Sequence, residues 1–154
     1  MRILALDAST TAVGWCKAQD GEYLDSGVYR PKGHNAWARI FDFGEWLESW
    51  WNREIDALVP DLLCYELATG AHGNMRTNRL LGAVEGVTYW IASTRVRIVT
   101  VTASQVRASG CHKHALAVAS AIAGRDVTSP DEADAIGVYV AGWGKWQRDK
   151  KGVE

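Results

Sequence analysis

Short apolar runs alternate with longer amphipathic segments along the chain. Five runs have the length and composition of β-strands, and the first and fourth each end abruptly in an acid, Asp7 and Glu66. Asp20 and Gly21 separate the second run from the third and predict a hairpin turn. The predicted strands cover residues 2–7, 13–18, 23–29, 61–66 and 96–101.

Segments with helical spacing fill the intervals between the later strands. The first begins behind Asn35, a candidate N-cap. Its apolar residues recur every three or four positions and predict a core stripe that includes Trp37 and Phe41. Thr102 caps a short predicted helix, and Ser129 with Glu132 predicts a capping box at the last one. The predicted helices cover residues 37–58, 75–94, 103–108, 112–123 and 130–142, and a charged, frayed tail covers 145–154.

This order of elements predicts an α/β domain with a mixed sheet. Three consecutive strands indicate an antiparallel meander, and the later alternation of strand and helix indicates parallel crossovers. We expect one domain over residues 1–144, followed by the tail. Functional sites in such sheets gather at the carboxyl ends of the parallel strands.

Composition argues against several classes of protein. The longest stretch without Asp, Glu, Lys or Arg is residues 114–124, which is too short for a membrane-spanning helix, and a signal-peptide pattern is absent. We therefore expect a cytoplasmic protein. Cys16, Cys64 and Cys111 lie far apart among apolar or small residues, which predicts buried thiols rather than a zinc site or disulfides.

Charge is distributed unevenly despite a formal net charge of −1. Residues 1–66 contain 6 basic and 11 acidic side chains, whereas residues 67–125 contain 7 basic side chains and one acid, Glu85. Such blocks are typical of a polyanion-binding face beside a carboxylate site, although ordinary solvated surfaces also segregate charge. On the first reading, the basic residues of 67–125 surround the carboxylates.

Four acids occupy positions that suggest chemistry. Asp7 and Glu66 end buried strands, where a charge needs a partner, and Asp131 and Asp134 lie on one face of the last helix. Singly they have structural explanations, since acids also serve strand-end turns and complement helix dipoles. As a set they suit Mg²⁺, which prefers oxygen ligands and, as a pair of ions about 4 Å apart, assists phosphodiester hydrolysis.

Motifs around these acids resemble one known family. They are ILALDAST around Asp7, CYE ending at Glu66, SQVR at 104–107, the segment around Lys113, and DEADAIG at 131–137. In order and spacing, from residue 2 to about residue 143, the chain resembles the RuvC family of Holliday junction resolvases within the RNase H-like superfamily. The resemblance implies an RNase H-like fold with a mixed five-stranded sheet, made of a three-strand antiparallel meander plus two parallel strands.

The resemblance also implies an activity, a structure-selective endodeoxyribonuclease that resolves Holliday junctions or other branched DNA with two Mg²⁺ ions, for which Mn²⁺ can substitute. Lys113 becomes a catalytic residue, and Arg107 and Lys113 match family lysines that contact DNA near the cut. Arg107 departs from the family there, because arginine does not replace lysine in proton transfer. The implied metal-binding catalytic acids are Asp7, Glu66, Asp131 and Asp134.

Several other positions bear on DNA binding. Thr69 stands where bacterial members of the family place an aromatic wedge, and Met75 is either its replacement or a core residue at a helix start. His112 and His114 flank Lys113 and are either DNA contacts or solvated side chains. The predicted DNA-binding residues are Arg76, Arg79, Arg107, His112, Lys113 and His114.

Aromatic and apolar stripes predict contacts between protein surfaces. Phe43, Trp46 and Trp50 form a second stripe beside the core stripe of the first helix, which indicates a wider core or a partner surface. The resemblance implies a homodimer, because a four-way junction is nicked symmetrically on two strands. The helix over 74–94 would supply that surface through Leu80, Leu81, Val84, Val87 and Trp90 or Ile91.

Two alternatives to the resolvase stay open. One is an RNA-processing nuclease of the same superfamily, and the other is a non-catalytic junction-binding protein. For the resolvase, we expect the bacterial cytosol, or the host cytosol if the chain is phage-encoded.

Overall fold

The structure is a computed structural model that describes residues 1–52, 59–67, 75–111 and 116–152. Its five strands are β1 (Arg2–Ala8), β2 (Val13–Gln19), β3 (Glu22–Tyr29), β4 (Leu62–Glu66) and β5 (Arg97–Val101). Its five helices are α1 (Ala36–Asn52), α2 (Met75–Ala92), α3 (Ala103–Ala108), α4 (Leu116–Ala123) and α5 (Pro130–Lys151). These elements follow the predicted order.

The strands form one sheet in the order β3-β2-β1-β4-β5. The strand β1 pairs antiparallel with β2 and parallel with β4, and β4 pairs parallel with β5. Asp20 and Gly21 both have positive φ, 53° and 91°, as expected for the two-residue turn that joins β2 to β3. The predicted mixed sheet of a meander plus two parallel strands is confirmed.

Helices cover both faces of the sheet, so the central strands are buried on both sides. Alternate residues of β1 and β4 face α5 on one side and α1 with α2 on the other. The residues that face α5 are Ile3, Ala5, Leu62 and Cys64. Those that face α1 and α2 are Leu4, Leu6, Leu63 and Tyr65. Cys16, Cys64 and Cys111 are buried free thiols, as predicted.

The helix α5 extends further than the sequence predicted. It runs to Lys151, so the predictions of a helix end near Gly142 and of a frayed tail from Lys145 are wrong over the described residues. The cause is Trp146, which is buried against the sheet and lies under the guanidinium of Arg97, 4.4 Å from the ring centroid. This packing continues the apolar face of α5 by about one turn beyond Gly142.

The predicted capping box at the start of α5 is also wrong. Ser129 makes no side-chain capping hydrogen bond. The Glu132 carboxylate instead accepts a hydrogen bond from Ser26 Oγ at 2.7 Å and pairs with Arg125 at 2.5 Å. Glu132 is buried, so its charge is satisfied by β3 and Arg125 rather than by its own helix.

The helix α1 begins as predicted but is rotated about its axis. Asn35 Oδ1 accepts the Ala38 N–H at 2.9 Å, which confirms the N-cap. Ile40, Phe43 and Leu47 are the buried residues of α1. The predicted core residues Trp37 and Phe41 are instead 64% and 68% exposed.

Aromatic stacking explains this rotation. Trp46 stacks on Tyr29 of β3 with centroids 4.6 Å apart, and Trp50 packs against Trp15 of β2 at 5.6 Å. The stripe formed by Phe43, Trp46 and Trp50 is therefore the wider core, not a partner surface. No helix within the described residues is long and apolar enough to cross a lipid bilayer.

Candidate active site

Two of the predicted acids occupy neighbouring positions at the carboxyl ends of β1 and β4. Leu6 of β1 lies opposite Tyr65 of β4 in the parallel register, which puts Asp7 beside Glu66 one residue further on. Side chains alternate along a strand, so both acids lie on the α5 face of the sheet, like Ala5 before Asp7. Adjacent strands are about 4.8 Å apart, and the two carboxylates therefore belong to one site.

Gly14 brings the start of α5 onto this site. It is the partner of Asp7 across the β1–β2 ladder. A Cβ at Gly14 would lie 1.9 Å from the carbonyl oxygen of Asp131 and 3.1 Å from the Cβ of Ala135, so only glycine permits this approach. Asp131 is thereby held next to the strand pair that carries Asp7.

Asp134 lies one turn further along α5, towards the loop that follows α3. The Cys111 thiol donates to the Ala133 carbonyl at 3.4 Å, and burial together with the charge of Asp134 raises the pKa of Cys111 to about 11. A Cβ at Gly137 would lie 2.0 Å from the carbonyl oxygen of Cys111, so this loop is packed tightly on α5. Asp134 therefore faces the residue that precedes segment 112–115.

The predicted catalytic residue Lys113 and the neighbouring His112 and His114 lie outside the described residues, as does Thr69. Arg107 is exposed on α3, the helix capped by Thr102 as predicted. The structure therefore describes four predicted catalytic acids and three predicted arginine contacts. It gives no position for the lysine.

The donor set of this site is chemically suited to Mg²⁺. All four predicted ligands are carboxylates, which supply the oxygen atoms that hard divalent cations prefer. Within the described residues, no group of three or more His, Cys, Asp or Glu side chains is arranged to hold one ion. The carboxylates therefore lie at one end and on one face of the sheet, but the described side chains are not arranged as a complete set of ligands around one ion.

The basic block of residues 67–125 does not surround the carboxylates as a whole. Arg95 pairs with Glu48 at 2.7 Å and Arg97 stacks on Trp146; both lie at the start of β5, the opposite end of the sheet from Glu66. The positional prediction is wrong for these two arginines. Arg125 is also taken by a structural contact, its ion pair with buried Glu132. A count of charges along the sequence therefore does not show which arginines the fold engages in other contacts.

Arg76 and Arg79 are exposed on the first turns of α2 and line a cleft of about 440 Å³ between the beginnings of α1 and α2. Met75, 69% exposed, also lines it, so the alternative that Met75 is a core residue is wrong. Arg39 on α1 donates from Nε to the Thr10 carbonyl at 2.8 Å, in the turn that follows β1. The cleft therefore lies at the carboxyl end of the sheet, on the face opposite α5.

Sequence reasoning missed Gly14 and Arg39. A glycine inside a predicted strand is itself a signal of close backbone approach, and Gly14 could have been found in this way. Arg39 gave no such signal, because nothing in a sequence pairs a helix arginine with a carbonyl 29 residues earlier.

The helix predicted to form the dimer surface is α2. For two of its residues the prediction of a surface position is wrong. Val84 and Ile91 are buried in the core of their own chain. Trp90 is 78% exposed. Gly86 and Gly82, four and eight residues before Trp90, have open space where a Cβ would be. The outer face of α2 is thus formed by small residues next to one large aromatic side chain.

Comparisons with known proteins bear on the fold. The chain is similar to Thermus thermophilus RuvC in complex with a Holliday junction substrate, with a TM-score of 0.75 and 15% identity over 92% of this chain and 91% of that one. It is also similar to a second Thermus thermophilus RuvC structure, with a TM-score of 0.73 and 16% identity over 96% and 97% of the two chains. No protein-family model and no curated protein sequence matches. The chain therefore has the RNase H-like fold of RuvC, and the predicted resemblance is confirmed at the level of the fold.

Proposed function

We propose that this chain is a divalent-metal-dependent endonuclease that nicks branched DNA, with the four-way Holliday junction as its main substrate. One observation carries the proposal. Asp7, Glu66 and the start of α5, with Asp131 and Asp134, lie at the carboxyl end and on one face of a sheet with RuvC topology. Carboxylates gathered in this way supply the oxygen ligands that two divalent cations need for phosphodiester hydrolysis.

In the proposed mechanism, Asp7, Glu66, Asp131 and Asp134 would hold two Mg²⁺ ions. When bound, the metal supplies an activated water and stabilises the oxygen that leaves the phosphate. The fold positions three of these residues. The strands β1 and β4 hold Asp7 and Glu66 side by side, and the contact at Gly14 holds Asp131 next to them. Lys113 and Arg107 would bind the phosphate that is cut and offset its charge.

Arg76 and Arg79 would bind phosphates on either side of the cut. Both are exposed at the start of α2, which follows β4 and its terminal Glu66. Phosphate contacts of this kind orient DNA without reading its sequence and weaken as salt rises. Arg95, Arg97 and Arg125 take no part, because Arg95 and Arg125 are held in ion pairs and Arg97 is stacked on Trp146.

A homodimer through α2 would give two sites for symmetric nicking. Gly82 and Gly86 each cost the helix about 1 kcal/mol relative to alanine, and a closely approaching second helix would offset that cost. Trp90, exposed beside them on the same helix face, would then be covered. This proposal is tested by the molecular mass in solution of the wild type and of Gly86→Leu, which we expect to be monomeric.

Substrate competition tests the proposed function. The chain is incubated with a synthetic four-way junction, a replication fork, a flap, a linear duplex and a structured RNA, each with Mg²⁺ and with EDTA. We expect Mg²⁺-dependent nicks on the branched DNA, paired symmetrically on the junction. Cleavage confined to the RNA would establish the RNA-processing alternative, and tight junction binding without any cleavage would establish the non-catalytic one.

A further inference from the structure

The cleft between α1 and α2 combines features of a nucleotide-binding surface. The described residues that line it are Asn35, Ala36, Trp37, Met75, Arg76, Arg79 and Leu80. They include two guanidinium groups, one indole and one amide, and no acid. A cleft with this composition attracts an anion that also carries a flat, apolar ring.

Trp37 gives this cleft its specific character. It is 64% exposed at the start of α1, although tryptophan is usually among the more buried residues of a domain. Phe41, one turn later on α1, is similarly exposed at 68% but does not line the cleft. Exposed aromatic rings next to arginines are the common means by which proteins hold single-stranded nucleic acid, with bases stacked on the ring and phosphates on the cations.

The cleft is also placed near the proposed chemistry. Arg39, on the first turn of α1, contacts the Thr10 carbonyl in the turn after Asp7. The helix α2 starts nine residues after Glu66, which is the last residue of β4. The cleft and the carboxylates therefore share one end of the sheet but lie on its two faces.

We propose that this cleft binds an unstacked nucleotide of the branched DNA, with its base on the Trp37 indole and its phosphate on Arg79. This inference rests on the proposed function for the source of the nucleotide, because branch points are where DNA bases lose a stacking neighbour. Trp37 thereby holds open one strand of the branch. The indole supplies stacking energy to the base. Thr69, at the position expected for an aromatic wedge, has no ring that could do so.

Binding of single-stranded DNA tests the proposal without any cleavage step. The probe is a fluorescein-labelled oligothymidylate of ten nucleotides, measured by anisotropy in EDTA. We expect Trp37→Ala to weaken its affinity about tenfold and Trp37→Phe by about threefold or less, because base stacking tolerates a change of ring. The matched control is Phe41→Ala, which removes an equally exposed ring of the same helix and leaves affinity unchanged.

The salt dependence of the same affinity tests the role assigned to Arg79. Each phosphate contact adds about 0.7 to the slope of log affinity against log salt for a single strand. Arg79→Gln should therefore reduce that slope by about 0.7, while Arg97→Gln, at the other end of the sheet, leaves it unchanged. An equal effect of both variants would overturn the assignment of Arg79 to the phosphate.

Photocrosslinking locates the base. A four-way junction with 5-iododeoxyuridine at the branch point is irradiated with the Asp7→Asn variant, which keeps the DNA intact, and the attached peptide is identified by mass spectrometry. We expect attachment at Trp37. Attachment only elsewhere overturns the inference. Neither outcome affects the proposed function, which fails only if the wild type does not nick branched DNA.

Discussion

The two ends of the central strands use acidic residues in different ways. At the amino end, Arg2 of β1 binds Asp61 through both its backbone N–H and its guanidinium, at 2.6–3.1 Å, and these contacts join β1 to β4. At the carboxyl end, Asp7 and Glu66 lie side by side on the α5 face, beside a helix that begins with further acids. The amino end uses its acid in an ion pair that joins two strands, whereas the carboxyl end places several acids side by side.

This contrast teaches that an acid's position must be judged together with its nearest cation. Asp131 and Glu132 are adjacent in sequence, yet Glu132 is buried against Arg125 and Ser26 while Asp131 faces the β1–β2 ladder through Gly14. One of the two is structural, and the other belongs to the proposed site. Substitutions at Glu66, Gly14, Arg125 and Asp61 separate these roles.

Of these four variants, Glu66→Gln should have the largest effect on activity. Loss of a supporting residue in a metal site costs 10–100-fold, and we expect loss of a direct ligand to lower the nicking rate by more than about 100-fold. The variant should still fold, because glutamine keeps the shape of the side chain. Nicking of a four-way junction and urea denaturation measure the two effects. Glu45→Gln, an exposed acid of α1, is the control, and equal loss in that variant would refute a specific role for Glu66.

Gly14→Ala should have the largest effect on stability. The new methyl group would overlap the Asp131 carbonyl at 1.9 Å, so α5 must move, at a cost of about 1–3 kcal/mol or more. We expect a lower melting temperature together with weaker Mg²⁺-dependent nicking. Gly144→Ala, where the nearest atom to a Cβ is 3.5 Å away, should be neutral or stabilising. Wild-type stability of Gly14→Ala would contradict the close contact.

Arg125→Ala should reduce stability but not DNA binding. It leaves the buried Glu132 carboxylate with only Ser26 as a described partner, at a cost of about 1–3 kcal/mol. Urea denaturation measures this cost. The salt slope of junction binding should equal that of the wild type, because this arginine is committed to the fold. A weaker salt slope together with unchanged stability would contradict this expectation and indicate that Arg125 binds DNA.

Asp61→Asn should have the smallest effect. Side-chain and backbone hydrogen bonds from Arg2 lower the pKa of Asp61 to about 2, so its stabilisation is complete above the ordinary aspartate pKa near 4 and is lost as pH falls towards 2. Both side chains are partly exposed, and the pair is therefore worth about 0.2–1 kcal/mol. Urea midpoints of wild type and variant should differ at pH 7 and converge near pH 2. A constant difference across that range would contradict the assignment to this pair.

The fold could be predicted from the sequence because its signals are local. Strand β1 is a continuous apolar run, the Asp20–Gly21 turn needs positive φ, and Asn35 caps α1 through its own side chain. The rotation of α1 could not be predicted, since it depends on Trp46 stacking against Tyr29, a contact between distant parts of the chain. The end of α5 was missed for the same reason, because Trp146 is buried by the sheet rather than by its neighbours in sequence.

The candidate site could be predicted only as a set of residues. Strand ends and helix spacing identified Asp7, Glu66, Asp131 and Asp134, and the resemblance to RuvC assigned them a role. Residue order alone does not show which cations the fold already engages, so Arg95 and Arg125 were counted with the DNA-binding face. Charge along a chain is a poor guide to charge on a surface, because ion pairs form between residues far apart in sequence.

Nicking of a synthetic four-way junction by the wild type and by Asp7→Asn, side by side in Mg²⁺, tests the central claim most directly. The substitution keeps the shape of the side chain and removes only its charge. We predict symmetric nicks by the wild type, no detectable nicks by the variant, and junction affinity within about twofold of the wild type. Undiminished cleavage by Asp7→Asn would contradict a catalytic site at the carboxyl end of β1.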